Sequence, residues 1–261
     1  MKLDDIKKHW EEAGRQFSAG KKITPTSRDP YLACLERENI LSYLKKHHTV
    51  LEIGCGNGSH TVHYAKEVKK ISGIDVAESL ITLAKERAAS ESIRNADFTA
   101  GSVLNIKDIY LDRKFSCVIS QRCLINLPEW LYQQDAISQI HSLLENDGLL
   151  LLTEGFQEEL DNLNGVRAKF GLAEIKTVDY NRNMLRKDFE PFIKKYFDIV
   201  EIRNYGAYLF FSRVYHPLAV LPEEPKHDSR LNESAMEISR KIQMPDLEKY
   251  SYNLFYVLRK K

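Results

Sequence analysis

Short apolar segments alternate with amphipathic ones through the middle of the chain. Buried strands are predicted at residues 50–53, 70–74, 96–99, 115–120 and 149–154. Helical spacing of the apolar positions predicts helices near 59–67, 77–90 and 131–144, the last of them stopping at Gly148. Five such alternations are typical of βαβ units, so they predict an α/β fold with a doubly wound parallel sheet.

The flanking segments predict a cap and the completion of the sheet. Residues 1–20 and 31–46 have helical patterns on either side of a Pro-containing turn at 24–30, and 157–195 reads as helical and polar. Further strands are predicted at 197–203 and 252–259, an apolar or strand-like stretch at 207–215, a loop at 216–230 and a helix at 232–242.

The composition excludes several classes of protein. The 261 residues are 43% hydrophobic and 29% charged, which suits a packed core and not a disordered or coiled-coil chain. Lys and Arg number 38 against 37 Asp and Glu, and a net charge of +1 does not favour a nucleic-acid partner. The four cysteines form no CxxC pair, so we expect neither disulfides nor a metal site.

Two further absences in the sequence bear on localisation. The first 16 residues mix acids and bases without the apolar stretch of a secretory signal. No apolar run approaches the ~20 residues needed to cross a bilayer. We therefore expect a cytoplasmic protein with no membrane span.

The most informative stretch is VLEIGCGNG at 50–58, where a buried strand enters a loop with glycines at 54, 56 and 58. Glycines allow a sharp turn and let a ligand approach the backbone closely. Their G-x-G-x-G spacing differs from the dinucleotide pattern G-x-G-x-x-G and from the P-loop. Asp75 ends the next strand, 21 residues beyond Gly54, where a carboxylate accepts hydrogen bonds from ribose hydroxyls. The two features together indicate an adenosine-bearing cofactor.

With these residues, the chain resembles the class I S-adenosylmethionine-dependent methyltransferases over roughly 48–155. The likeness includes VLEIGCGNG, Asp75, the strand FSCVIS at 115–120 and LLENDGLLLLTE at 143–154. It implies a Rossmann-like sheet of seven strands with the last antiparallel, and S-adenosyl-L-methionine as cofactor. It also implies three regions: an N-terminal helical cap (1–47), a cofactor-binding core (48–156), and a substrate cap with two closing strands (157–261).

The resemblance also implies roles for single residues. Gly54, Gly56 and Gly58 would line the methionine part, Glu52 would hold the ammonium group, Asp75 the ribose, and Val76 would flank the adenine. Ser102 stands where the family often has an acidic residue for the adenine amino group. The cofactor-binding set is Glu52, Gly54, Cys55, Gly56, Gly58, Asp75, Val76, Ser102 and Gln121.

Three residues are candidates for catalysis because an acceptor should bind beyond the carboxyl ends of the strands. Arg122 would bind an anionic or carbonyl oxygen, with a surface or salt-bridged arginine as the alternative. Glu154 would accept a proton or orient a hydroxyl, against a helix-capping or ion-paired role. His216 would enter the pocket as a base on a mobile loop, although a surface position is the simpler interpretation.

Several other residues have two interpretations. His60, His63 and Glu67 are spaced like a metal site, but a solvated helix face is favoured because no fourth ligand is in place. Arg28 and Asp29 would form a salt-bridged cap of the second helix, or a lid over the cofactor. The aromatic residues after position 180 would pack in the core, or form a wall for a sugar or planar acceptor.

The sequence leaves three functions open. TPTSRD, RCLINLPEW and an Asn-bearing segment near 180 resemble methyltransferases that decorate glycans, lipids and small metabolites, so a small-molecule or glycan-type acceptor is favoured. A nucleic-acid or protein methyltransferase is the alternative, but the chain lacks the Asn/Asp-Pro-Pro-Tyr and Pro-Cys motifs of base methylation. A non-catalytic cofactor-binding protein is the third.

Overall fold

A computed structural model describes residues 2–18, 29–242 and 244–261, with one sheet at the centre. Its strands are β1 (Thr49–Ile53), β2 (Lys70–Asp75), β3 (Ala96–Ala100), β4 (Phe115–Gln121), β5 (Leu144–Gly155), β6 (Phe197–Asn204) and β7 (Asn253–Lys260). Their order is β3-β2-β1-β4-β5-β7-β6. β1 to β5 pair in parallel, and β7 is antiparallel to both β5 and β6. The predicted seven-stranded, doubly wound sheet with an antiparallel last strand is confirmed.

Helices pack on both faces of this sheet. They are α1 (Leu3–Ser18), α2 (Pro30–Leu41), α3 (Thr61–Ala65), α4 (Glu78–Ser90), α5 (Ile106–Ile109), α6 (Trp130–Leu143), α7 (Gln157–Lys169), α8 (Arg186–Ile193), α9 (Gly206–Phe210), α10 (His216–Val220) and α11 (Arg230–Lys241). Alternate residues of β1 belong to opposite apolar clusters, Leu51 and Ile53 to one and Val50 to the other. Coverage of both faces explains why β1, β2 and β4 are buried along almost their whole length.

The end of α6 differs from the prediction. The helix stops at Leu143, and β5 begins at Leu144, which pairs with Phe115 of β4. Gly148 therefore lies within the strand and does not end the helix. The left-handed backbone conformation at this turn belongs to Asp147, with φ of 60°. The pairing of Leu144 with β4 therefore ends the helix earlier than the glycine at 148 predicted.

The segment after β6 is helical, so the predicted strand-like stretch at 207–215 and loop at 216–230 are wrong in part. α9, a π-helical turn at Phe211–Tyr215 and α10 follow one another without a break. Tyr205, Tyr208, Ser212 and His216 are among the buried residues of this segment. They are three or four positions apart, which is a helical spacing that the density of aromatic residues concealed. The predicted helical region 157–195 consists of α7 and α8, with residues 170–185 in neither helix.

Most of the predicted turn at 24–30, including Arg28, lies outside the described residues. Asp29 is described, and its carboxylate accepts hydrogen bonds from the backbone nitrogens of Tyr31 and Leu32 at the start of α2. The same carboxylate accepts a 2.7 Å hydrogen bond from the Tyr208 hydroxyl and pairs with Arg213. The helix-capping interpretation of Asp29 is confirmed. In the described ranges, no helix is long and apolar enough to span a membrane.

Candidate active site

A cavity of about 460 Å³ opens at the carboxyl ends of β1, β2 and β4 and is partly covered by α1. The glycine loop after β1, the turn after β2 and the residues that follow β4 form its floor, and Leu3, Ile6 and Trp10 of α1 form its roof. This position is where ligands bind in doubly wound sheets, because the strand order reverses between β1 and β4. The cavity is therefore the candidate active site.

The glycine loop adopts a backbone conformation that other residues disfavour. Gly54, Gly56 and Gly58 have φ of 68°, 53° and 71°. A Cβ at Gly54 would lie 2.7 Å from the Cβ and Sγ atoms of Cys123. Gly54 and Gly56 line the cavity, whereas Gly58 packs against Ala84 of α4. The following helix, α3, is a single turn that begins at Thr61, later than predicted.

Asp75 connects the glycine loop to the turn before α4. Its Oδ2 accepts a hydrogen bond from the Gly56 nitrogen at 2.9 Å, and its Oδ1 accepts one from the Ala77 nitrogen at 3.0 Å. A carboxylate oxygen can accept two hydrogen bonds, so each oxygen of Asp75 has room for one more, from a hydroxyl in the cavity. Burial raises the pKa of Asp75 to about 6, and the backbone hydrogen bonds oppose that rise. The group is ionised at neutral pH.

Glu52 lies beneath the glycine loop and is 3% exposed. Its Oε2 accepts a 2.6 Å hydrogen bond from the Thr61 hydroxyl. Burial, with the nearby negative charge of Asp75, raises the pKa of Glu52 to about 8, and the Thr61 hydrogen bond only partly offsets this. A cationic group entering the cavity would reverse that shift, because an opposite charge favours the carboxylate.

The other predicted cofactor residues also line the cavity: Cys55, Val76, Ser102 and Gln121. The hydroxyl of Ser102 accepts a 3.2 Å hydrogen bond from the Leu104 nitrogen, which leaves its proton available as a donor. The Gln121 amide is fixed, because it accepts from the Tyr64 hydroxyl at 3.0 Å and donates to Glu36 at 2.9 Å. Burial raises the pKa of Cys55 well above its usual range, so its thiol stays neutral.

Arg122 lines the cavity beyond β4. Its φ of 53° places the residue in the left-handed region, and its nitrogen donates to the Thr153 carbonyl at 2.7 Å. The guanidinium lies 3.5 Å from the buried carboxylate of Glu36 on α2. The side chain is thus both salt-bridged and at the cavity, which combines the two interpretations drawn from the sequence.

The structure does not bring Glu154 or His216 to the cavity wall. The carboxylate of Glu154 is fully buried and accepts hydrogen bonds from the Ser120 hydroxyl and from the nitrogens of Cys123, Leu124 and Ile125, at 2.7–3.2 Å. This is the capping arrangement, since these nitrogens belong to the turn after β4. His216 is 2% exposed on α10, and its Nδ1 lies 2.9 Å from Asn232 Oδ1. It is therefore neither on a loop nor at the surface.

His60 and Trp10 are among the cavity residues that were not predicted from the sequence. His60, expected on a solvated helix face, lines the cavity, and its Nδ1 has no hydrogen-bond partner among the described residues. Burial, together with the positive charges of Arg122 and Arg37, lowers the pKa of His60 to about 3. Trp10 lines the cavity from α1, and its Nε1 donates to Asn126 Oδ1 at 2.7 Å. The described residues contain no cluster of three metal ligands.

Comparison with known proteins finds methyltransferases. A family model described as "Methyltransferase domain" matches residues 44–195. The dTDP-3-amino-3,4,6-trideoxy-alpha-D-glucopyranose N,N-dimethyltransferase of Streptomyces venezuelae is 31% identical over 72 residues, or 28% of this chain and 27% of that protein. The demethylmenaquinone methyltransferase of Staphylococcus aureus is 26% identical over 120 residues, or 45% of this chain and 47% of that protein. The chain thus spans about half or less of the length of these curated relatives.

Solved structures share the architecture over nearly the whole chain. The N-methyltransferase NodS from Bradyrhizobium japonicum, solved with S-adenosyl-l-homocysteine, aligns with a TM-score of 0.57. The two are 14% identical, and the alignment covers 96% of this chain and 98% of that one. At this level of identity the likeness shows a common fold.

Proposed function

The chain belongs to the methyltransferase domain family, whose model matches more than half of its length, and we propose that it is an S-adenosylmethionine-dependent methyltransferase acting on a small molecule. The observation that carries the proposal is the hydrogen bond from the Gly56 nitrogen to the Asp75 carboxylate at the carboxyl ends of β1 and β2. In this contact a carboxylate able to accept ribose hydroxyls lies beside a loop in which every second residue, at 54, 56 and 58, is glycine. A nucleoside fits such a cradle.

The residues of the cavity fit this cofactor in charge as well as shape. Asp75 would receive the ribose hydroxyls, and Glu52 would face the ammonium group across Gly54 and Gly56. Val76 would lie along the adenine, and Ser102 would offer it a polar contact. Gly54 supports the fit, because an added Cβ would collide with Cys123, another residue of the cavity lining, so this part of the wall has to remain without a side chain.

The cofactor supplies a methyl group on a positively charged sulfur, and the protein's part is to align the acceptor and exclude water. α1 covers the cavity, with the indole of Trp10 held by Asn126. Arg122 would bind an anionic or carbonyl oxygen of the acceptor. His60 presents a neutral imidazole, which would accept a hydrogen bond from an acceptor hydroxyl or amine and orient it.

A small-molecule or glycan-type acceptor is favoured by the concave, partly covered cavity and by the balanced net charge of +1. One relative is named for methylating the amino group of a nucleotide-linked sugar, and NodS is named an N-methyltransferase. We therefore place amino sugars and related amines first among the acceptors to be assayed.

The proposal is tested in two steps with the purified chain. Calorimetry with S-adenosylhomocysteine should give one site per chain, and no heat of binding under conditions where the protein is folded would end the proposal. Transfer of labelled methyl from S-adenosylmethionine to a pool of amino sugars and other small metabolites should then identify the acceptor. Labelling confined to added RNA or protein would replace the small-molecule assignment.

A further inference from the structure

α1 is fastened to the rest of the protein at two points on opposite sides of the cavity. On one side, Trp10 donates its indole hydrogen bond to Asn126, in the turn after β4. On the other side, Glu11 contacts the first residues of α4. Since Leu3, Ile6 and Trp10 form the roof of the cavity between these points, the two attachments decide whether the roof is in place.

The start of α4 has no capping side chain of its own. Its cap position is occupied by Ala77, which offers no side-chain acceptor to the free nitrogens of the first turn. Glu11 takes that role from another helix: its Oε1 accepts from the Glu78 nitrogen at 2.7 Å and its Oε2 from the Ser79 nitrogen at 3.1 Å. The Ser79 hydroxyl returns a 2.9 Å hydrogen bond to the Glu11 carbonyl.

The close fit of the two helices depends on a glycine one turn further along α1. A Cβ on Gly14 would lie 2.3 Å from Ser79 Oγ and 3.1 Å from the Leu80 nitrogen. Gly14 is buried and lies within the helix, where glycine is otherwise unfavourable by roughly 0.5–1 kcal/mol relative to alanine. The helix therefore has a glycine where close approach to α4 requires one.

We propose that Glu11 is a positioning residue that caps α4 from α1 and thereby holds the roof of the cavity over a cofactor bound to Asp75. The connection is short, because Ala77, whose nitrogen donates to Asp75, directly precedes the two nitrogens that donate to Glu11. Release of α1 removes the cap from the turn that orients Asp75, and at the same time it uncovers the cavity through which the cofactor would leave. This inference rests on the proposed function, since it assigns a role in retaining that cofactor.

The test measures the dissociation rate of S-adenosylhomocysteine from the full chain by stopped flow. Glu11→Ala should release the ligand about fivefold faster, the factor that corresponds to losing a helix cap. Glu12→Ala is the matched control, because Glu12 is exposed and its hydrogen bond is to Gln16 of the same helix. That variant should release the ligand at the wild-type rate. Glu11→Gln should fall between, since a carboxamide keeps one acceptor oxygen.

The Gly14→Ala variant distinguishes an effect on the docking of α1 against α4 from an effect on the stability of the α1 helix itself. Alanine favours the isolated helix, so a faster release of ligand would come from the steric contacts of the added Cβ with Ser79 and Leu80 of α4. In a Trp130→Phe background, Trp10 is the single tryptophan, and its fluorescence should become more accessible to acrylamide in both Glu11→Ala and Gly14→Ala. This readout would not change if Glu11 stabilised the protein without holding α1.

The outcomes are distinguishable. Wild-type binding with unchanged release and unchanged Trp10 quenching in Glu11→Ala and Gly14→Ala would overturn the role of Glu11 and leave the proposed function standing. Failure of the wild-type chain to bind S-adenosylhomocysteine would overturn both. Should Glu11→Ala not fold, the Gly14→Ala measurement decides by itself.

Discussion

Asp75 Oδ2 accepts a hydrogen bond from the backbone nitrogen of Gly56 at 2.9 Å, although Gly56 lies in the loop after β1 and Asp75 is the last residue of β2. β1 and β2 are parallel neighbours, and their pairing runs from Thr49 and Lys70 to Ile53 and Ile74. The ends of both strands therefore meet at the same edge. The carboxylate shapes the glycine loop and faces the cavity, so one side chain connects fold and function.

Replacing Asp75 with alanine should weaken binding of S-adenosylhomocysteine by about 10²-fold. The expected loss is that of two hydrogen bonds to a charged group, each contributing roughly 1.5–3 kcal/mol, offset in part by water. Calorimetry at pH 7.5 measures the change. Asp97→Ala is the control, because Asp97 lies on the adjacent strand β3 in a half-exposed ion pair with Lys70 and outside the cavity lining. Equal effects of the two substitutions would contradict the assignment.

Gly54→Ala should lower the free energy of unfolding and prevent ligand binding. The left-handed conformation costs a non-glycine residue about 1–2 kcal/mol, and the contact with Cys123 adds to that cost. Gly165→Ala offers the opposite case. Gly165 lies exposed within α7 with no atom within 4 Å of an added Cβ, so that variant should be stabilised by roughly 0.5–1 kcal/mol. Thermal unfolding of both variants measures the difference.

Glu154→Ala should destabilise the protein by about 3 kcal/mol or more. The substitution leaves the Ser120 hydroxyl and three backbone nitrogens without their acceptor inside the protein. Denaturant unfolding measures the loss, and Glu154→Gln, which keeps one acceptor oxygen, should recover part of it. Loss of turnover with unchanged stability and unchanged cofactor affinity would instead support the role as a base.

The parts of the site that could be predicted are contiguous in the sequence. The conformational role of the glycines at 54, 56 and 58, and the chemical role of the acid that ends the next strand, can be inferred from the local sequence pattern. The strand-end position of Glu154 was also correct, but neighbouring strand residues point to opposite faces, and the pattern did not fix which side chain enters the cavity. Trp10 and Asn126 are 116 residues apart, so their contact had no local signal. The apolar spacing of Leu3, Ile6 and Trp10 would have indicated only that α1 packs against something.

Binding of S-adenosylhomocysteine at pH 7 should release close to one proton, and Glu52 should be its source. Burial raises the pKa of Glu52 to about 8, so the carboxyl is mostly protonated at pH 7. An ammonium group beside it lowers that pKa, and the proton leaves as the ligand binds. Affinity should therefore rise with pH up to about 8 and then level off, because above that value Glu52 is already ionised.

Neither Asp75 nor His60 should contribute appreciably to the proton release at pH 7. The pKa of Asp75 is raised only to about 6 and that of His60 is lowered to about 3, so both have lost their protons before pH 7. Calorimetry in buffers of different ionisation enthalpy measures the number of protons released. Glu52→Gln cannot ionise, and its release should fall by the amount that Glu52 contributes in the wild type. Equal release from the two proteins would mean that the ammonium group binds elsewhere, and Glu52 would then have a structural role through Thr61 alone.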